Sequence, residues 1–185
     1  MKTIYIIRHC KAFGQEPDAS LTPEGEEQAE RLATCLKDRG IETIVSSPFA
    51  RAVATIRPLA DQLQLHIHIE EQLSERVLSS EDLSNWMELL ERTFSDLDMK
   101  LTGGESSREA MSRAVSVIRK LQAHPANSIA VVTHGNLMSL LLKYYDDGIG
   151  YEDWKQLSNP DVYELILAQD GTVSSIDHVW KIPAE

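Results

Sequence analysis

Cysteine is scarce in this chain of 185 residues, which has only Cys10 and Cys35. Two thiols cannot form a disulfide scaffold, so stability must come from a packed core. Each reads as a small, reduced, partly buried side chain, which points to a reducing, cytoplasmic setting. Positive charge is also short: 18 Lys and Arg stand against 29 Asp and Glu, a net charge of −11. That balance argues against a nucleic-acid partner, which calls for a basic surface to displace phosphate counterions. An anionic substrate would meet an unfavourable overall field, so any phosphate site must be a local concentration of positive charge. Long apolar runs are missing as well. Ile4 to Ile7 before Arg8 is too short for the apolar region of a signal peptide, and no run approaches the roughly 20 residues of a membrane span. Repeats, low-complexity tracts and linkers are lacking, so one domain over residues 1–185 is expected.

Hydrophobic residues make up 42% and charged residues 25%, enough for a substantial single core. Short β-branched runs at Thr3–Ile7, Thr43–Ser46, His66–Ile69 and Ile129–Thr133 read as strands. Between them, apolar residues recur at helical spacing: Ala29, Leu32, Ala33 and Leu36; Leu83, Trp86, Met87 and Leu90; Ala110, Ala114, Val117, Ile118 and Leu121; Leu137, Leu140, Leu141 and Tyr144. Thr22 before Pro23 reads as a helix N-cap with proline at the first helical position, and Ser106 with Glu109 as a capping box. The stretch from Pro48 to Leu65 is helical in spacing but contains Pro58, which predicts a kink or break near Arg57. Val162–Ala168, Asp170–Gly171 and Val173–Val179 read as a hairpin with an aspartate-glycine turn. The alternation predicts an α/β fold: a mostly parallel sheet covered by helices on both faces, with an antiparallel C-terminal edge hairpin.

In such sheets ligands bind beyond the carboxyl ends of the strands. The first strand delivers Arg8 and His9 there. The second delivers Ser47, Pro48 and, about one helical turn on, Arg51. The fourth delivers His134, Gly135 and Asn136, and the third is followed by Glu70, Glu71 and Glu75. Two arginines and two histidines therefore converge on one edge. Guanidinium groups bind phosphate oxygens through charge-assisted bonds, and helix N-termini add backbone donors. A histidine among them is held neutral by charge repulsion, as a nucleophile must be. The alkoxide it displaces needs a proton, and a carboxyl group can supply one.

Arg8-His9, Leu21-Thr22-Pro23-Glu24-Gly25 with Gln28-Ala29, Ser46-Ser47-Pro48 with Arg51-Ala52 and Thr55, Gly103-Gly104-Glu105-Ser106, and Thr133-His134-Gly135 together resemble the histidine phosphatase superfamily, the phosphoglycerate mutase-like family. The resemblance runs from residue 4 to about residue 140 in the family's order. It implies a three-layer α/β/α sandwich and a phosphohistidine mechanism. His9 is then the nucleophile, Arg8 and Arg51 are phosphate ligands, and His134 is a phosphate ligand that stabilises the transition state. Leu73-Ser74-Glu75 resembles the segment carrying the proton donor, which points to Glu75, with Glu71 the alternative. Asn136 follows His-Gly and is a candidate phosphate contact, although helix capping explains it equally well. No metal or organic cofactor is implied; the partner expected is a small phosphorylated substrate. Cys10 stands where the family commonly has glycine, and Lys11, Ala12 and Phe13 replace the mutase branch's continuation. With no C-terminal lid in view, water should reach the phosphoenzyme. A phosphatase is expected, with a mutase or a non-catalytic phosphate-binding module as alternatives.

Other features have plainer readings. Ser47 and Lys11 read as flexible surface polar residues flanking the pocket, and Cys10 as inert packing. His66-x-His68 puts two imidazoles on one strand face without further metal ligands in sight. Asp96-x-Asp98 follows an amphipathic helix and reads as its polar terminus. Glu16 occupies the place that an arginine would need in a Cys-x5-Arg loop, and neither a P-loop nor a nucleophile-elbow serine occurs. The segment from Leu78 to Leu101 is expected to roof the site, with its aromatics mainly in the core.

Overall fold

The computed structural model describes residues 1–181. Six strands, β1 (Lys2–Arg8), β2 (Thr43–Ser46), β3 (Ile67–Ile69), β4 (Ser128–Thr133), β5 (Asp161–Leu167) and β6 (Val173–His178), form one sheet in the order β3-β2-β4-β1-β5-β6. The pairs β1·β4, β2·β4 and β2·β3 are parallel, whereas β5 and β6 add the expected antiparallel edge. The helices are α1 (Pro23–Leu36), α2 (Ala50–Leu63), α3 (Trp86–Ser95), α4 (Ser107–Gln122), α5 (Gly135–Tyr145) and the short α6 (Tyr151–Gln156).

The two-residue period of the strands splits the core into two layers. Ile4 and Ile6 of β1, with Ile129 and Val131 of β4, pack against α3, α4 and α5. Tyr5 and Ile7, with Ala130 and Val132, face α1 and α2. Ile4, Ile6 and Ile7 are completely buried, each worth roughly 1.5–3 kcal/mol of apolar transfer. A sheet buried on both faces by helices is the three-layer sandwich that the alternating pattern implied.

Local signals fix the helix starts. Thr22 Oγ1 accepts from the Gly25 amide at 3.0 Å, with Pro23 at the first helical position. Ser106 Oγ accepts from the Glu109 amide at 3.1 Å while the Glu109 carboxylate accepts from the Ser106 amide at 2.8 Å, closing the capping box. Gly171 takes φ +88° in the β5–β6 turn, a conformation that glycine adopts freely.

Two expectations need correction. No break occurs at Arg57: α2 runs through Pro58 from Ala50 to Leu63. Burial of Thr55, Ile56, Leu59 and Ala60 on either side outweighs the one backbone hydrogen bond that proline removes. The apolar stripe beginning at Leu83 becomes helical only from Trp86, and Leu83 lies ahead of the helix on the wall of a cavity.

Candidate active site

The parallel register brings the ends of β1, β2 and β4 level. Arg8 pairs with Thr133, Ser46 pairs with Val132, and the His9 amide donates to Thr133 O at 3.1 Å. The residues after these strands therefore meet, as the sequence required.

His9 is buried and held at both ring nitrogens. Arg51 Nε donates to His9 Nε2 at 3.1 Å, and His9 Nδ1 lies 2.7 Å from Cys10 O. An arginine Nε always carries its hydrogen and a carbonyl only accepts. The proton therefore sits on Nδ1, and the lone pair sits on Nε2. Burial, opposed by the Cys10 carbonyl and reinforced by repulsion from Arg51 and Arg8, pushes the imidazole down to about 4. Asn159 Nδ2 donates to His9 O at 2.8 Å and fixes the backbone from the other side.

His134 is fully buried, its ring centroid 5.1 Å from that of His9. Its Nε2 pairs with Ser47 Oγ at 2.7 Å, and the Phe49 ring packs 4.8 Å away. Burial and the positive neighbours around it hold His134 well below the usual imidazole range.

Both arginines are anchored by carbonyl oxygens. Arg51 Nη1 donates to Gln15 O and Glu16 O, at 3.1 and 2.9 Å. Arg8 Nη1 donates to Leu157 O and Ser158 O, at 3.0 and 3.3 Å. Asp161 holds that last loop by accepting from the Ser158 amide at 3.0 Å. Burial lowers the pKa of both guanidiniums, and the Glu75 charge counters it.

Glu75 caps helix α5 across space. Its carboxylate accepts from the amides of Asn136 at 3.1 Å and Leu137 at 2.9 Å, placing an anion at the helix N-terminus. Glu71 is exposed in a 3-10 turn at Glu71–Leu73 and does not line the cavity that Glu75 lines, so the structure brings Glu75 and not Glu71 to the cluster. Among the described residues, the buried side-chain atoms without a hydrogen-bond partner are Nε of Arg8, Nδ1 of His134, Oδ1 of Asn136 and Nε of Arg76. Each such atom costs about 1–3 kcal/mol. Arg8 and His134 are neighbours of His9, and an oxyanion there could accept from Arg8 Nε and from a protonated His134 Nδ1.

Several contributors escaped the sequence reading. Ser47 is completely buried and touches His134; it is not a flexible surface residue. Its position in Ser46-Ser47-Pro48, straight after a strand, was the available signal. Arg113 Nη1 donates to Gln72 O and Ser74 O at 2.7 and 2.8 Å, and its Nε pairs with Glu105 Oε1 at 2.7 Å, bracing the turn before Glu75. Arg76 Nη1 donates to Thr93 and Ser107, both at 3.1 Å, and its Nη2 to Glu105 O at 2.9 Å. Nothing in the local sequence marked either arginine. The plainer readings of Lys11 and Asp98 hold: both are exposed and paired, with Glu24 and Arg108. Cys10 is fully buried and its thiol is pushed up to about 12, which leaves it unreactive. Among the described residues no group of three or more His, Cys, Asp or Glu is arranged to hold a metal ion, and no helix is long and apolar enough to cross a membrane.

Comparison with known proteins places this geometry. A relative from Hydrogenobacter thermophilus, provisionally named phosphoserine phosphatase 2, is 24% identical and covers 98% of this chain and 97% of its own. One from Shigella dysenteriae, provisionally named phosphoglycerate mutase GpmB, is 26% identical over 77% of this chain and 74% of its own. The structure of a mycobacterial glucosyl-3-phosphoglycerate phosphatase superposes with a TM-score of 0.77 at 21% identity, covering 96% and 97% of the two chains. The family model of the histidine phosphatase superfamily, branch 1, matches residues 4–176, and the chain belongs to that superfamily.

Proposed function

We propose that the protein is a cytoplasmic phosphomonoesterase that hydrolyses a small phosphorylated metabolite through a phosphohistidine at His9. The observation that carries this reading is the unprotonated Nε2 of His9 held 3.1 Å from the Arg51 guanidinium. A neutral nitrogen nucleophile beside a phosphate-binding cation is what attack on a phosphate monoester requires. Cytoplasmic placement rests on the two free cysteines.

The substrate's phosphoryl group would displace the resting contact, taking Arg51 Nε from His9. Arg8, Arg51 and His134, with the amide side chain of Asn136, would hold its non-bridging oxygens while Nε2 attacks phosphorus in line. Their work is positioning and charge stabilisation, which dominate phosphoryl transfer. Glu75 would give a proton to the departing alkoxide. In the second half it would take a proton from water as that water attacks the phosphohistidine, releasing inorganic phosphate and free His9. The relative named as a mutase keeps a second reading open, in which the phosphoryl group returns to another oxygen of the same substrate.

Rapid-quench labelling with a phosphorylated substrate tests the nucleophile. An acid-labile, base-stable phosphoenzyme should form in the wild type and be absent in His9→Ala. Undiminished turnover of an aryl phosphate by that variant would overturn the assignment. A mutase would exchange phosphate between positions faster than it releases inorganic phosphate.

A further inference from the structure

Arg8, Glu75 and Asn136 at the edge of the phosphate cluster line a cavity of about 520 Å³ that is also lined by the segment between Leu78 and Leu90. One side of it is apolar: Leu78, Leu83 and Leu90 line it with the indoles of Trp86 and Trp154, which meet edge to face at 6.3 Å. Tyr151 stacks on Trp154 at 5.5 Å and backs that wall. Trp86, expected to be mainly a core residue, keeps 46% of its surface exposed. A large aromatic left half in water on a cavity wall suits contact with a ligand.

The charges lining this space are uneven. Its cations are Arg8 and Arg76. Arg8 belongs to the phosphate cluster, and Arg76 is buried with both Nη atoms tied to Thr93, Ser107 and Glu105, only its Nε being without a partner. Glu81 and Asp82 add two exposed carboxylates to the lining. An alcohol carrying its own carboxylate would lose hydration there and face like charge, with the buried Nε of Arg76 as the single unpaired donor of a cation outside the phosphate cluster.

On the phosphatase reading above, we infer that this site selects phosphate monoesters of neutral apolar or aromatic alcohols and discriminates against esters whose alcohol carries a carboxylate. This differs from the phosphoserine and phosphoglycerate of the relatives' names. The residues that carry the inference are Trp86, Trp154, Glu81 and Asp82, outside the phosphate cluster.

Steady-state kinetics on alkyl esters tests the inference, because the leaving alkoxides are then chemically alike. The kcat/KM for 2-phenylethyl phosphate should exceed that for 3-phosphoglycerate and O-phosphoserine by about 100-fold. Trp86→Ala should lower it about tenfold while leaving methyl phosphate unaffected. The double variant E81Q/D82N should raise kcat/KM for 3-phosphoglycerate about tenfold, again with methyl phosphate unchanged. Equal or better use of 3-phosphoglycerate by the wild type would overturn the specificity while leaving the phosphatase reading intact. Failure to hydrolyse any ester, methyl phosphate included, would instead overturn that reading. Calorimetry on the wild type then tests selectivity alone: 2-phenylethylphosphonate should bind more tightly than 3-phosphonopropionate, and the reverse order would refute the inference.

Discussion

A Cβ placed on Gly135 would lie 2.9 Å from Nε of Arg8 and 3.0 Å from its Cζ. The guanidinium that ends β1 thus lies flat across the first residue of α5, where only a hydrogen fits. This gives the glycine after His134 a physical meaning: it lets a cation and a helix N-terminus face one oxyanion.

Gly135→Ala should consequently lower kcat/KM about 10- to 100-fold, because a misplaced phosphate ligand loses its orientation. Its thermal midpoint should stay within a few degrees of the wild type. The clash falls on the far end of a flexible side chain, and alanine favours the helix. A comparison of kinetics with thermal melts checks this; a large loss of stability would show that the glycine serves packing instead.

The burial of His9 predicts a pH dependence. Its imidazole is pushed down to about 4, from about 6.5 when unfolded. Between these values the unfolded chain binds a proton at this residue and the folded protein does not. Stability is therefore lost as pH falls through that window, by about 3 kcal/mol from His9. Buried His134 shifts in the same direction and adds to the loss. NMR titration should place the His9 midpoint near 4, and denaturant titrations should show a shallower acid slope for His9→Ala. A His9 midpoint near 6.5 would refute the desolvated nucleophile.

The position of Glu75 predicts a dependence on the leaving group. Glu75→Gln removes the proposed proton donor and keeps one acceptor: its amide oxygen can still accept from Leu137, but the NH2 group then meets the Asn136 amide donor to donor. For alkyl phosphates, whose alkoxides need a proton, kcat should fall about 100- to 1,000-fold. For p-nitrophenyl phosphate, whose phenolate departs unaided, the phosphorylation step should slow by less than about tenfold. Equal losses on both substrates in single-turnover experiments would mean that Glu75 only holds α5.

The residues that meet were legible because strand ends are. Arg8, His9 and His134 each follow a β-branched run, and parallel pairing brings such positions level without any knowledge of side-chain geometry. The sandwich was readable for the same reason, through β-branched runs alternating with stretches of helical spacing. What supports the cluster was not readable. Arg113 and Arg76 reach it only through the packing of α4 and of the loop before it against the turn ahead of Glu75. Nothing in their neighbours distinguishes them from charges on a solvated helix. Asn159 likewise reaches the His9 carbonyl from 150 residues away. The break allowed for near Pro58 does not occur, because the local rule leaves out the buried neighbours on either side.

Arg113 offers the sharpest test of that hidden support. Its guanidinium joins the Gln72 and Ser74 carbonyls to Glu105, and no atom of it is needed at the phosphate. Arg113→Ala should cost about 1–3 kcal/mol, since it leaves a half-buried Glu105 carboxylate and the Gln72 and Ser74 carbonyls without their donor. If the bracing serves catalysis by fixing Glu75, the kinetic loss must follow the leaving group: several-fold on alkyl phosphates and nearly absent on p-nitrophenyl phosphate in single-turnover experiments. A merely structural role would lower both rates together with the fraction folded. Arg113→Lys keeps the charge but not the fork, so it should recover stability before it recovers alkyl phosphate turnover.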